Sequence, residues 1–132
     1  MRVGSLNHVV ITVNDLAKSR AFYDRLLPSL GYRLLFEEKD AFGFRGADGL
    51  KLFFAAAHQE NKGVPFDRYR VGLHHLAFNA SDRAFVDSVH GKLVEWGVVI
   101  VDPPAEYPQY EPGYYAVFFL DPDGIKLEVV HV

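Results

Sequence analysis

Two short stretches of this chain alternate between hydrophobic and polar residues, six others resemble strands, and two longer stretches follow the period of an α-helix. An alternating stretch over 6–13 comes first, then a helical stretch, then three further strand-like stretches at about 32–38, 41–46 and 50–57. The same order recurs, with alternation over 73–80, a helical stretch, and strands at about 98–102, 114–120 and 125–131. Period-two alternation predicts strands, and a period of 3.6 predicts helices. The chain is therefore predicted to have an α+β fold in which a βαβββ unit occurs twice.

Both predicted helices have recognisable ends. The first should be capped by Asn14 or Asp15 and the second by Ser81 or Asp82, because a side-chain oxygen at this position can accept from a free backbone N–H of the first turn. Glycines follow each helix where a left-handed residue commonly ends it. The apolar positions expected to face the sheet are Leu16, Phe22, Tyr23, Leu26 and Leu30 in the first helix, Phe85, Val89, Leu93 and Trp96 in the second, and the terminating glycines are Gly31 and Gly97.

The two units also match in sequence. SLNHVVITVND over 5–15 resembles GLHHLAFNASD over 72–82, so that His8 corresponds to His75. ADGLKLFFA over 47–55 resembles PDGIKLEVV over 122–130, with Asp-Gly-x-Lys-Leu identical, and each Asp-Gly pair predicts a hairpin turn. The two matches occur in the same order along the chain. They predict one domain over 1–132, with repeat one at about 5–57, a linker over 58–71 and repeat two at about 72–132.

Composition narrows the possible chemistry. The chain has 132 residues, a net charge of −3, six histidines and no cysteine. The charge gives no reason to expect nucleic acid or an anionic membrane as a partner, and the apolar stretch near the N-terminus is too short for a signal peptide or a membrane span. We therefore expect a cytoplasmic protein. Any bound metal must be held by His, Asp or Glu.

Strand alternation places three such side chains on one face. Val9, Ile11 and Val13 form an apolar set that should face the helix, so His8 should point away from it. The same reasoning puts His75 and Glu128 on the face opposite the second helix. Two imidazoles and one carboxylate on a concave face would form a facial triad for Fe(II), Mn(II) or Zn(II), with positions left open.

For other candidate site residues, the sequence allows more than one role. His74 neighbours His75 but is out of phase with it, so a core or supporting role is favoured over ligation. The loop over 102–113 holds four of the seven prolines and is typical of a binding loop or lid. The tyrosines in this loop and just after it could line the entrance of a substrate site, or they could only stabilise the loop by packing. The sequence pattern does not distinguish these two roles. These residues are Tyr107, Tyr110, Tyr114 and Tyr115.

The repeat, the histidine near the start of strands one and five, and the segment YYAVFFLDPDGIKLEVV resemble the vicinal oxygen chelate superfamily over about residues 5–131. This superfamily includes glyoxalase I, extradiol dioxygenases, fosfomycin-resistance transferases and bleomycin-binding proteins. The resemblance implies that His8, His75 and Glu128 hold a divalent metal (Fe, Mn, Zn or Ni), that Glu128 is also catalytic, and that a small oxygenated molecule chelates the ion. It also implies that the two βαβββ units form a curled eight-stranded mixed sheet with the helices outside. The resemblance further implies a homodimer, in which His8 could come from one chain, and His75 with Glu128 from the other.

Phe53 occupies the position that corresponds to Glu128 in repeat one. By the resemblance, glyoxalase I has a fourth metal ligand there, so its activity is disfavoured and a three-ligand lyase or dioxygenase is favoured. Phe53 is then expected to line the substrate site together with the tyrosines of the loop. The alternative is a metal-free protein of the bleomycin-resistance type that sequesters a drug-like molecule in the same fold.

Overall fold

The computed structural model describes residues 3–132 and confirms the βαβββ order twice. The elements are β1 (His8–Val13), α1 (Leu16–Ser29), β2 (Arg33–Glu37), β3 (Ala41–Arg45), β4 (Lys51–Ala56), β5 (His75–Asn79), α2 (Arg83–Glu95), β6 (Ile100–Glu106), β7 (Tyr115–Leu120) and β8 (Lys126–His131), with a short 3-10 turn at Gln59–Asn61. The eight strands form two mixed sheets of four, ordered β1-β4-β3-β2 and β5-β8-β7-β6. In each sheet the first strand runs parallel to the last strand of its own repeat.

The described chain divides into two compact units, one ending at Val64 and the other spanning Pro65–Val132. The division falls inside the predicted linker over 58–71. Each unit contains one sheet and one helix, so each repeat of the sequence corresponds to one unit of the structure.

Strand pairing agrees with the sequence alignment of the repeats residue by residue. His8 pairs with Lys51 across β1 and β4, and His75 pairs with Lys126 across β5 and β8. Two residues further on, Phe53 lies opposite Val10 in the first sheet, and Glu128 lies opposite Ala77 in the second. Phe53 and Glu128 therefore hold equivalent places in the two units.

Helix ends are equivalent as well. Asp15 accepts a hydrogen bond from the backbone N–H of Lys18, and Asp82 accepts one from that of Phe85, so the aspartates are the caps. Gly31 and Gly97 have φ of 87° and 72°, a conformation that glycine adopts without strain. The residue after each glycine donates its N–H back into the last turn, from Tyr32 to Leu27 and from Val98 to Leu93, which is the Schellman arrangement.

Strand β6 is longer than predicted. The sequence indicated a strand ending near residue 102 followed by a loop, but β6 continues through Pro103 and Pro104 to Glu106. It is the edge strand of its sheet, and its pairing with β7 is irregular between Asp102 and Ala105. Proline has no backbone N–H to donate. An edge strand or a bulge tolerates proline because an N–H at that position is not needed for strand pairing.

Each unit packs its helix on one face of its sheet. In the first unit Tyr23, Leu26 and Leu27 of α1 are buried, as is Phe54 of β4. In the second unit the buried helical residues are Val86, Val89 and Leu93. Among residues 3–132, none of the helices has the length and apolar character needed to span a bilayer. Each sheet therefore has a second face that its own helix does not cover.

Candidate metal site

Glu128 is the most informative residue of the second unit, because its side chain is charged and only 1% exposed. Its Oε1 lies 3.1 Å from Nε2 of His75, and its Oε2 accepts a hydrogen bond from the hydroxyl of Tyr114. A carboxylate without charged or hydrogen-bonding partners would be expensive to bury. Both oxygens of this carboxylate are therefore engaged, one by an imidazole and one by a phenol.

The donor pair fits a divalent ion. Adjacent ligand atoms of an octahedral ion with bonds of about 2.1 Å lie about 3.0 Å apart. The separation of 3.1 Å between His75 Nε2 and Glu128 Oε1 matches that value. Neutral imidazole and carboxylate are also the ligand types that Fe, Mn, Zn and Ni accept. These two side chains would need little movement to hold an ion between them.

Both predicted histidine ligands have their Nδ1 engaged by the preceding residue. Nδ1 of His8 lies 2.7 Å from Oδ1 of Asn7, and Nδ1 of His75 lies 2.7 Å from Nδ1 of His74. Metal-bound histidine usually donates its second ring N–H to a neighbour, which fixes the tautomer and leaves the other nitrogen for the ion. In a metal-bound protein a proton on Nδ1 would leave Nε2 of each ring free to hold the ion. His74 lies just before β5, is exposed and lines the same cavity as His75, so its predicted position on the helix face was wrong.

Across residues 3–132, no three His, Asp or Glu side chains are gathered in the arrangement of a metal centre. The structure brings two of the three predicted ligands together, His75 and Glu128, within one unit. His8 belongs to the other unit, at the start of β1. Its ring stacks on that of Phe53, with 5.2 Å between the ring centres and 24° between the planes.

Phe53 is half-buried on the face of the first sheet away from α1. Besides His8, it contacts the edge of Phe36 at a centre-to-centre distance of 5.2 Å. Gly43 lies beneath both phenyl rings, and a Cβ there would come within 2.6 Å of each of them. Phe53 therefore forms an apolar wall beside His8, at the place that corresponds to Glu128.

A cavity of about 320 Å³ opens next to His75 and Glu128 in the second unit. Tyr107 and Tyr110 line it with their rings stacked 5.4 Å apart. It is also lined by His74, Asp102, Tyr114, Phe118 and Lys126. The cavity combines aromatic walls with a few polar groups, which is typical of a small-molecule site.

Tyr114 and Tyr115 take opposite directions. The Tyr115 hydroxyl donates to Oδ1 of Asp87 on α2 at 2.6 Å, so this residue lies on the helix side and away from the cavity. Tyr114 points to the cavity and donates to Glu128. The sequence placed both residues at the substrate mouth without separating them. The sequence did contain a signal that separates them. Tyr114 and Tyr115 are consecutive residues at the start of a strand, and consecutive residues of an extended chain face opposite sides.

Burial and nearby charges shift the pKa values of three residues that line the cavity, Tyr107, Tyr114 and His74. Burial, reinforced by the hydrogen bond to Glu128, raises the pKa of Tyr114 far above its usual value, so it remains a donor. Burial and the negative charge of Asp102 raise the pKa of Tyr107. Partial loss of hydration lowers the pKa of His74, and the nearby basic groups His75 and Lys126 lower it further. At neutral pH Tyr107, Tyr114 and His74 are therefore uncharged.

Comparison with known proteins gives a family consistent with this geometry. The model of the Glyoxalase/Bleomycin resistance protein/Dioxygenase superfamily matches residues 5–129, which includes both units. The chain belongs to this superfamily. The metallothiol transferase FosB of Lysinibacillus sphaericus is 34% identical over 128 residues, covering 97% of this chain and 82% of that protein.

Two further superfamily relatives match along nearly their whole length. The uncharacterized protein YqjT of Bacillus subtilis is 33% identical over 125 residues, covering 95% of this chain and 97% of that protein. The crystal structure of a glyoxalase-like protein from Bacillus halodurans superposes with a TM-score of 0.85 at 36% identity, covering 98% and 96% of the two chains. The superfamily domain thus accounts for almost the entire chain.

Proposed function

We propose that this superfamily member is a metal-dependent enzyme that acts on a small oxygenated molecule, with a divalent ion (Fe, Mn, Zn or Ni) held by His8, His75 and Glu128. The observation that carries the proposal is the pair formed by His75 Nε2 and the buried Glu128 carboxylate, 3.1 Å apart beside a cavity. His8 is the third ligand by its equivalence to His75 in the repeat and by the matching contact of its Nδ1.

The ion would act as a Lewis acid toward two neighbouring oxygens of the substrate. The chain's own residues bind and orient that molecule. Tyr107 and Tyr110 offer stacked aromatic surface for an apolar part of it. The Lys126 ammonium, 4.5 Å from the centre of the Phe118 ring, would attract an anionic group. Glu128 provides the negative charge that the ion requires and is the one carboxylate in the proposed ligand set.

The proposed set of metal ligands limits the reactions that the enzyme could catalyse. Phe53 cannot coordinate an ion, so the position that corresponds to Glu128 supplies no second carboxylate. Proton shuttling of the glyoxalase I kind is disfavoured for that reason. FosB relatives at 28–34% identity are named metallothiol transferases, which makes addition of a thiol to an electrophilic substrate the first reaction to assay. Conversion of the methylglyoxal–glutathione hemithioacetal at the rate of a dedicated glyoxalase would contradict this choice.

We expect one divalent ion per chain, and we expect His8→Ala to weaken its binding by about 10-fold or more, because one of three ligands is lost. Titration calorimetry with Mn²⁺ and elemental analysis of the loaded protein measure both quantities. His58→Ala is the control, because His58 is a strongly exposed histidine in the linker. A wild-type protein that takes up no Mn²⁺, Zn²⁺, Ni²⁺ or Fe²⁺ would instead favour a metal-free binding protein.

We also propose that the protein is a homodimer. The first unit supports this, because its sheet face away from α1 carries exposed apolar surface: Val10 is 54% exposed and pairs with Phe53. Burial of such a surface against a second chain would be favourable. Analytical ultracentrifugation should give twice the chain mass at micromolar concentration. A monomer with full metal occupancy would exclude a site shared between two chains.

A further inference from the structure

Two different groups contact the two oxygens of the Glu128 carboxylate. Oε1 lies 3.1 Å from Nε2 of the proposed ligand His75, and Oε2 accepts from the hydroxyl of Tyr114. We infer that Tyr114 is a positioning residue for the metal ligand: it holds Oε2 and presents Oε1 alone to the ion. This inference rests on the proposed metal-dependent function, and it assigns to Tyr114 a role that the ligand set alone does not contain.

The hydroxyl of Tyr114 is held in place by the loop that precedes β7. The backbone N–H of Tyr107 donates to the carbonyl of Tyr114 at 2.9 Å, and the N–H of Tyr114 donates to the carbonyl of Glu111 at 3.2 Å. The Tyr114 ring contacts that of Tyr110 edge-on, with 5.3 Å between their centres. The ring also packs against the buried cluster of Ala116, Phe118 and Val130. Contacts within the chain therefore fix its orientation.

Holding one carboxylate oxygen has a consequence for coordination. A carboxylate that binds through both oxygens occupies two positions on an ion, whereas one that binds through a single oxygen occupies one. With His8, His75 and a monodentate Glu128, an octahedral ion keeps three positions for water and substrate. The proposed chelation of two substrate oxygens needs two of them. Tyr114 thus preserves the coordination positions on which the proposed reaction depends.

Tyr115 provides a matched control in the neighbouring position. It is also half-buried, and its hydroxyl also donates to a carboxylate, but that carboxylate is Asp87 on α2, at 2.6 Å. Removal of either hydroxyl deletes one oxygen and one hydrogen bond and leaves the ring in place. Only the loss at Tyr114 changes the surroundings of Glu128.

The experiment compares Co²⁺ binding by the wild-type protein, Tyr114→Phe and Tyr115→Phe, using calorimetry and the visible absorption of the bound ion. Partners of metal ligands usually contribute about 10- to 100-fold in affinity, so the Kd should rise by that factor in Tyr114→Phe and by less than about threefold in Tyr115→Phe. The visible absorption should change only in Tyr114→Phe, because its coordination changes. Near-ultraviolet circular dichroism of the metal-free proteins checks that the aromatic packing survives.

The possible outcomes separate this inference from the proposed function. Wild-type affinity and an unchanged Co²⁺ spectrum in Tyr114→Phe would overturn the role of Tyr114 and leave the metal site intact. Equal weakening in both variants would also overturn it, because the effect would then be a general loss of stability. A wild-type protein that binds no Co²⁺ would overturn the proposed function, and the role of Tyr114 with it.

Discussion

Replacement of Glu128 by Gln is expected to reduce metal affinity by at least about 100-fold, more than the loss of a residue that only supports a ligand. The change removes the carboxylate charge, while the amide keeps nearly the same volume in a position that is 1% exposed. A side-chain amide oxygen can still accept from the hydroxyl of Tyr114. Calorimetric titration with Mn²⁺ or Zn²⁺ measures the loss.

The metal-free Glu128→Gln protein should keep its fold, because the amide has nearly the same shape as the carboxylate and its oxygen still accepts from the Tyr114 hydroxyl. Glu128→Ala is the poorer variant, since it would leave the Tyr114 hydroxyl without its acceptor. Asp102→Asn is the control. It makes the same charge change in the same cavity, and its effect on affinity should stay within about threefold because Asp102 is not a proposed ligand. Equal losses in both variants would remove Glu128 from the metal site.

Phe54→Ala is expected to lower the free energy of unfolding by about 3–5 kcal/mol, the usual cost of truncating a fully buried phenylalanine. Phe54 is 0% exposed. Its ring lies 4.2 Å from that of Tyr23 and 4.8 Å from that of Phe42, measured between ring centres. Alanine would leave a cavity between helix α1 and its sheet. Urea unfolding followed by far-ultraviolet circular dichroism measures the change.

The neighbouring Phe53→Ala is the matched comparison. Phe53 faces the other side of β4 and is only half-buried, beside His8 and Phe36. Its truncation should cost under about 2 kcal/mol, within the range of ordinary substitutions. Similar losses for the two variants would show that Phe53 belongs to the core as fully as Phe54 does. That result would weaken its assignment as a wall of the site.

Much of the fold could be predicted because its signals are local. Asp15 and Asp82 cap the two helices with their own side chains. Gly31 and Gly97 end the helices by adopting a positive φ, which does not depend on the packing of the core. Alternation along a strand decides which residues share a face, so His75 and Glu128 could be placed together before the structure was known. Their approach to 3.1 Å agrees with that placement. The ligand roles of His8, His75 and Glu128 stay predictions.

Other features depended on tertiary contacts. The sequence could not show that β6 runs through Pro103 and Pro104, because only its place at the sheet edge makes the missing N–H groups harmless. The contacts of Tyr114 and Tyr115, at the start of β7, are a second feature that depended on tertiary structure.

The amino-acid sequence by itself determined the repeat, the order of the elements and the identity of the candidate ligands, because backbone preferences and period-two alternation act over a few residues. It did not determine that Tyr114 contacts Glu128 while Tyr115 contacts Asp87. Those contacts join residues 14 and 28 positions apart in sequence. They exist only because the strand pairing and the packing of α2 bring different partners to the two faces of one strand.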